Sequence, residues 1–243
     1  MKKAIGYVYV IAAAVCWGFL GLFNRVLTAA GVSLLNVMPL RFGGTAILFT
    51  VFCMMFKQQV FHIKLRHLPI FLGSGLISML LVLCGCALVS GIVGSDVGIS
   101  LEGLLMGLAS ELCYGGYTIF THYGMRYCDS FTMAYWTFLI AGIASLFLAD
   151  GPALLSALAE PRTGLAALGL MVMGTALPFT LYTKGLETVE SGKAAIIANI
   201  EPVMSAVIGV TVFQETLGLW TLVGIVLVLS GVVVLACEKE PDK

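Results

Sequence analysis

The chain has 243 residues, 60% hydrophobic and only 11% charged, and its thirteen Lys and Arg balance thirteen Asp and Glu to a formal net charge of zero. Soluble domains carry charge on about a quarter of their residues, so this composition, with a mean hydropathy of +1.04, excludes one and describes an integral membrane protein. Zero net charge leaves no electrostatic footprint for nucleic acid, and attention moves to where the basic residues fall.

About 20 apolar residues cross a bilayer as a helix. On that measure the sequence predicts an all-α polytopic bundle of about eight spans, roughly 5–27, 35–56, 68–92, 103–122, 131–149, 164–184, 194–213 and 217–237. The first run follows Lys2 and Lys3 as a signal peptide would, yet continues to about Leu27, and is read as an uncleaved span. With the N-terminus inside, ten basic residues (Lys2, Lys3, Lys57, Lys64, Arg66, Arg126, Lys184, Lys193, Lys239, Lys243) fall on the inner side. Only Arg25 and Arg162 fall outside, and Arg41 sits in the outer turn of the second span. This asymmetry puts both termini in the cytoplasm of a protein of the plasma or inner membrane. The seven cysteines lie in or beside apolar runs without CxxC or His/Cys ligand spacing, and are read as buried thiols; no metal or cofactor is expected.

Internal repetition decides the architecture. At an offset of 97, Gly6 meets Gly103, Ala12 meets Ala109, Cys16 meets Cys113, Trp17 meets Tyr114 and Gly18 meets Gly115. The first of these spans points outward and the other inward, so the two repeats run in opposite orientation. Gly75 matches Gly174 at an offset of 99, whereas Gly85 matches Gly231 at 146, a jump of 47 residues. The third span thus reads as the front of one helix joined to the back of another, with two crossings' worth of chain missing between. The organisation expected is a shortened first repeat of three spans (1–92), an outer loop (93–102), a complete second repeat of five spans (103–238) and a cytoplasmic tail (239–243).

With these matches, the ALPFTLYTKGLETVESGKAA segment from Ala176 and the ANIEPVMSAVIGV helix from Ala198, the sequence resembles the EamA family of the drug/metabolite transporter superfamily. The resemblance covers one EamA domain end to end and part of another. It implies two inverted five-helix repeats, here with the first incomplete, and a secondary transporter or exporter of small metabolites or drugs working by alternating access.

The apolar stretch from Ala194 to Phe213 carries Glu201 and Pro202 near its middle. A carboxylate at mid-membrane costs roughly 2.5–3.5 kcal/mol on insertion scales unless it faces a cavity or a partner. Pro202 has no N–H and crowds the Ala198 carbonyl, so one rung of the helix ladder opens a turn before the acid. Together they predict a small polar site facing away from lipid; a kink with a hydroxyl-satisfied Glu is the structural alternative. Glu111 is the second intramembrane acid, read either as a substrate or proton group or as a Glu tied to Ser110 or Thr175. Pro178 with Thr175 predicts another break, freeing the Gly174 carbonyl. Trp17 and Tyr114 are repeat-matched aromatics inside spans, suited to lining a cavity or to packing. Arg41, after Pro39, either snorkels outward or pairs with an anionic substrate. Lys184 belongs to a charged loop or reaches the cavity. His62 and His67 lie with Lys64 and Arg66 in a basic stretch facing lipid headgroups.

Three functional readings follow. One is a transporter whose midplane site uses Glu201, Glu111 and the breaks at Pro202 and Pro178, with proton coupling through a buried acid. Another is a deletion form that inserts without transporting, or a subunit that completes its bundle as a homodimer. An intramembrane enzyme has little support, since there is no GxSxG and no HExxH. The partners expected are a small-molecule substrate and the lipid bilayer.

Overall fold

The computed structural model describes residues 2–89 and 101–237. Among these residues all regular structure is helical. In chain order the helices are α1 (Lys2–Gly18), α2 (Leu20–Ala29), α3 (Leu34–Met38), α4 (Gly44–Phe56), α5 (Leu68–Val89), α6 (Leu101–Gly124), α7 (Ser130–Ser145), α8 (Gly151–Leu158), α9 (Pro161–Met171), α10 (Leu177–Gly185), α11 (Ser191–Ala198), α12 (Ile200–Phe213) and α13 (Leu219–Cys237). Five continuous stretches are long and apolar enough to cross a membrane: Ala4–Ala29, Leu35–Phe56, Ser130–Leu148, Pro161–Gly185 and Ser191–Phe213; Leu68–Leu80 and Thr221–Val234 are shorter apolar helices. The helical membrane architecture expected from composition is therefore present. The predicted outer loop 93–102 lies outside the described residues except for its last two, which open α6, and so does the predicted tail 239–243.

Several predicted spans are internally broken. The second bends through a π-helical turn at Pro39–Gly43 and the sixth through another at Val172–Ala176. The seventh divides at Asn199 between α11 and α12. An additional short helix, α8, occupies what read as a loop. Asp150 caps it by accepting from Ala153 N at 3.2 Å, and Asp150 N itself donates to Asn36 Oδ1 at 2.8 Å.

In a bilayer, helices gain little from hiding apolar surface from lipid, so close packing and interhelical hydrogen bonds hold the bundle. α1 lies against α10, α11 and α12, while α5 lies against α6 and α7. Gly142 of α7 shows why small residues are needed: a Cβ there would fall 3.0 Å from Gly43 Cα. An aromatic core containing Trp17, Phe42, Tyr117, Phe138, Phe179 and Tyr182 fills the middle of the bundle. A second cluster, with Leu27, Val32, Leu40 and Leu170, closes one end, where Asn36 meets Asp150. Lys57 meets Asp129 at the opposite end, at 3.4 Å. The helix of the expected fusion, α5, is continuous from Leu68 to Val89.

Candidate functional site

The two π turns are the centre of the site. Pro39 has no N–H to give to the ladder, and Pro178 cannot donate to Gly174, so each helix widens its register near a proline. The widened turns face each other. Thr45 Oγ1 donates to the Met171 carbonyl at 3.2 Å, and Arg41 Nε donates to Thr175 Oγ1 at 3.2 Å. The Thr175 hydroxyl in turn donates to the Leu170 carbonyl at 3.0 Å, five residues back, a spacing that suits the π turn. Thr175 is fully buried and Arg41 half-buried. The expectation that Arg41 snorkels outward is therefore corrected: its guanidinium turns into the bundle, 5.6 Å from the Phe42 ring centre and 5.9 Å from that of Phe179.

Phe179, directly after the buried Pro178, links the arginine to the aromatic core. Its ring stands edge-on to Trp17 at 5.0 Å, and Trp17 meets Tyr182 at 5.3 Å and Tyr114 at 6.3 Å. The repeat-matched pair Trp17 and Tyr114 is thus brought together. The Tyr182 hydroxyl lies 3.2 Å from Thr118 Oγ1. Trp17 Nε1, buried, has no hydrogen-bond partner among the described residues. A buried polar group in that condition costs about 1–3 kcal/mol. Sequence reasoning passed over Phe179 and Tyr182, although their spacing of three on a helix that carries Pro178 in its first turn places them on one face.

Glu201 and Pro202 occupy a different wall. The helix break expected from Pro202 occurs at Asn199, whose Nδ2 donates to the Ala195 carbonyl at 3.4 Å. Glu201 then falls in the first turn of α12, where the helix dipole favours an acid. It is half-buried while Pro202 is exposed, so the pair lines an open cleft rather than a sealed interior. The cleft, of about 350 Å³, is shared with Arg25, Ser205, Ala206 and Glu215. Arg25 pairs with Glu215 and lies 4.5 Å from the Phe213 ring centre. Glu215 reaches the cleft because Gln214 adopts a left-handed conformation (φ 56°) and because Gly209 has no Cβ to obstruct the carboxylate. Glu201 is also near enough to Tyr114 to interact with it electrostatically, which connects cleft and aromatic core. Arg25 and Glu215 were not singled out by sequence, since nothing local joins positions 190 residues apart.

Glu111 is carried by α6, and its side chain lies outside the described residues. Thr175, one of the hydroxyls suggested for it, hydrogen-bonds Arg41 and the Leu170 carbonyl. Lys184 does not reach the core; its Nζ pairs with Glu187 at 2.7 Å on the surface. Among the described residues no cluster of His, Cys, Asp or Glu is suited to hold a metal ion.

Residues 101–237, more than half of the chain, match the EamA-like transporter family. The chain belongs to that family. Its similarity to curated proteins extends into the first half: it is 26% identical over 174 residues to the uncharacterized transporter YwfM of Bacillus subtilis, covering 70% of this chain and 57% of that protein. It is 26% identical over 154 residues to the uncharacterized inner membrane transporter YicL of Salmonella typhimurium, covering 60% of this chain and 48% of that protein. Against the multidrug resistance protein EbrB of Bacillus atrophaeus it is 32% identical over 87 residues, covering 35% of this chain and 74% of that protein. The chain thus spans about half the length of YwfM and YicL. EamA membership and these relatives point to a multi-pass membrane transporter rather than an enzyme.

Proposed function

We propose that the chain exports small organic molecules by alternating access, with the Arg41, Thr175, Phe179 and Trp17 group as the contact surface for substrate and Glu201 as the proton-exchanging acid. The observation that carries this reading is the hydrogen bond between two helices at their π turns, beside a buried indole N–H that lacks a partner among the described residues. A passing solute satisfies that donor without a new strained conformation, and irregular helices near the midplane are where transporters of inverted-repeat type bind substrate. Rings of Trp17, Tyr114, Phe179 and Tyr182 suit a planar or apolar solute, with Arg41 beside them for a polar group. The similarity to EbrB, named a multidrug resistance protein, favours a drug-like solute class.

The same reading takes the first repeat as shortened, with the N- and C-termini on the cytoplasmic side. Its support is the unequal division of the chain, three long helical stretches before residue 90 against five after 100, and the gathering of Lys57, Lys64 and Arg126 at one end. A homodimer that supplies the missing wall is the second arrangement. It is favoured by the sparse helix cover of α13, which packs mainly on α11 and α12 among the described residues.

The test is solute efflux and pH-gradient-driven transport in proteoliposomes, for the natural sequence and for Glu201→Gln. Loss of gradient-driven transport with insertion and folding intact supports the acid's role. Transport of unchanged rate and pH dependence in Glu201→Gln removes it from the mechanism, and absence of transport of any drug-like solute by the natural sequence removes the exporter reading.

A further inference from the structure

A sizeable cavity lies outside the bundle core, at the end where Lys57 meets Asp129. Its volume is about 670 Å³, and its walls are the turn from Lys57 to His67, the turn from Arg126 to Thr132, and Phe71 of α5. We infer that this cavity is a receptor for a phosphate-bearing anion, ordinarily the headgroup of an anionic phospholipid, held by Lys64 and Arg126 with Lys57 beside them.

Charge is the first argument. Lys57, Lys64 and Arg126 line the cavity, with His62 and His67 between them, against the single carboxylate of Asp129. Asp129 is already committed: it pairs with Lys57 at 3.4 Å and accepts the Thr132 hydroxyl. Among the described residues neither Lys64 nor Arg126 forms an ion pair. Two cations therefore line a concave space in which, among the described residues, no further carboxylate answers them. A solvated basic loop would scatter such charges instead.

Rigidity is the second. Val60, in the wall, is buried, and Trp136 Nε1 donates to its carbonyl at 2.9 Å, which pins the loop to α7. Arg126 lies over the Tyr123 ring at 5.2 Å; the Tyr123 hydroxyl is 3.0 Å from that of Tyr127; and Tyr127 packs on His67 with ring centres 4.3 Å apart. These contacts hold the cationic wall in place before any anion arrives, which lowers the entropy lost on binding.

The third argument selects lipid over a soluble phosphate. Met54, Met55 and Phe56, the residues of α4 just before Lys57, are all more than 60% exposed, and Leu72 and Leu76 are exposed on α5, the helix that brings Phe71 to the cavity. An apolar helix surface leads directly to the cavity, matching an acyl chain below a charged headgroup. Basic pockets between membrane helices are suited to such headgroups.

The experiment uses the purified full chain in a neutral detergent, with native mass spectrometry for bound lipid and thermal unfolding for stabilisation. The probes are phosphatidylglycerol, phosphatidylcholine and, at matched ionic strength, inorganic phosphate. The expected result is selective retention of phosphatidylglycerol and a rise in melting temperature, with affinity falling about thirtyfold in Lys64→Gln/Arg126→Gln. Charge-conserving Lys64→Arg/Arg126→Lys retains the selectivity, and so does Arg162→Gln, remote from the cavity. If the double variant fails to fold, the exposed single change Lys64→Gln carries the same comparison. Equal retention of phosphatidylglycerol and phosphatidylcholine, or selectivity unchanged without the two cations, overturns the assignment. Stabilisation by inorganic phosphate equal to that by phosphatidylglycerol overturns the lipid as occupant.

Discussion

Arg41 and Thr175, 134 residues apart in the chain, are joined by a 3.2 Å hydrogen bond that ties one π turn to another. A guanidinium inside a helical bundle is costly unless its donors are used, and the buried hydroxyl accepts one of them while donating its own O–H to the Leu170 carbonyl.

Thr175→Val keeps the shape and removes the acceptor. Loss of a hydrogen bond to a charged group is worth about 1.5–3 kcal/mol. The expected outcome is a lowered melting temperature in detergent together with transport reduced by about tenfold or more, whereas Thr175→Ser retains both. Melting and transport equal to the natural sequence in Thr175→Val would show that the bond is incidental.

At Trp17 two substitutions separate packing from recognition. Trp17→Ala empties a buried indole position at the meeting point of four rings and destabilises by about 3–5 kcal/mol. Trp17→Phe keeps a ring but deletes the unpartnered Nε1, so stability is nearly kept while substrate affinity falls by about tenfold. An unchanged transport KM in Trp17→Phe would leave the indole a packing role only.

Asp129 gives the protein an acid-side pH dependence. Burial opposes its ionisation, but the Thr132 hydroxyl and the Lys57 charge outweigh that and hold its carboxyl below the usual range. A carboxyl lowered in the folded state adds stability above its unfolded pKa of about 3.9, and that stability is lost as pH falls through the folded value. Asp129→Asn therefore flattens the fall in melting temperature below about pH 4. At neutral pH the change is small, about 0–1 kcal/mol, because Lys57 and Asp129 are both half-exposed. Burial first, and then the Asp129 charge, push the Cys128 thiol up to about 11. The same substitution lowers that value, read as a shift in the pH dependence of maleimide labelling.

Gly142→Val forces a side chain against the Gly43 backbone. With only 3.0 Å to Gly43 Cα, α7 must move from the π turn that carries Arg41. A destabilisation of about 1–3 kcal/mol is expected, together with lost transport; Gly151→Ala, in open space, changes neither.

Much of this protein is visible in local sequence. Helical class, membrane character and the approximate course of each crossing follow from runs of apolar residues, because hydropathy is a property of consecutive positions. The 97-residue offset brought Trp17 and Tyr114 to attention as a pair, and their rings meet. Prolines 178 and 202 announced where helices deviate, and Pro39, which was not read as a break, marks a third, since a missing N–H acts on its own helix.

What the prolines could not reveal is how each deviation resolves. Two became π turns and the third accompanied a break at Asn199, because ladder register is adjusted against the neighbouring helix. The inward turn of Arg41 onto Thr175, the placement of Phe179 between arginine and indole, and the delivery of Glu215 to Arg25 all depend on which helices lie side by side. Sequence alone determined that this chain is a helical membrane protein with polar residues it had to shelter. Tertiary structure alone decided which partners shelter them, because a hydrogen bond acts over about 3 Å and carries no trace in residues more than a hundred positions away.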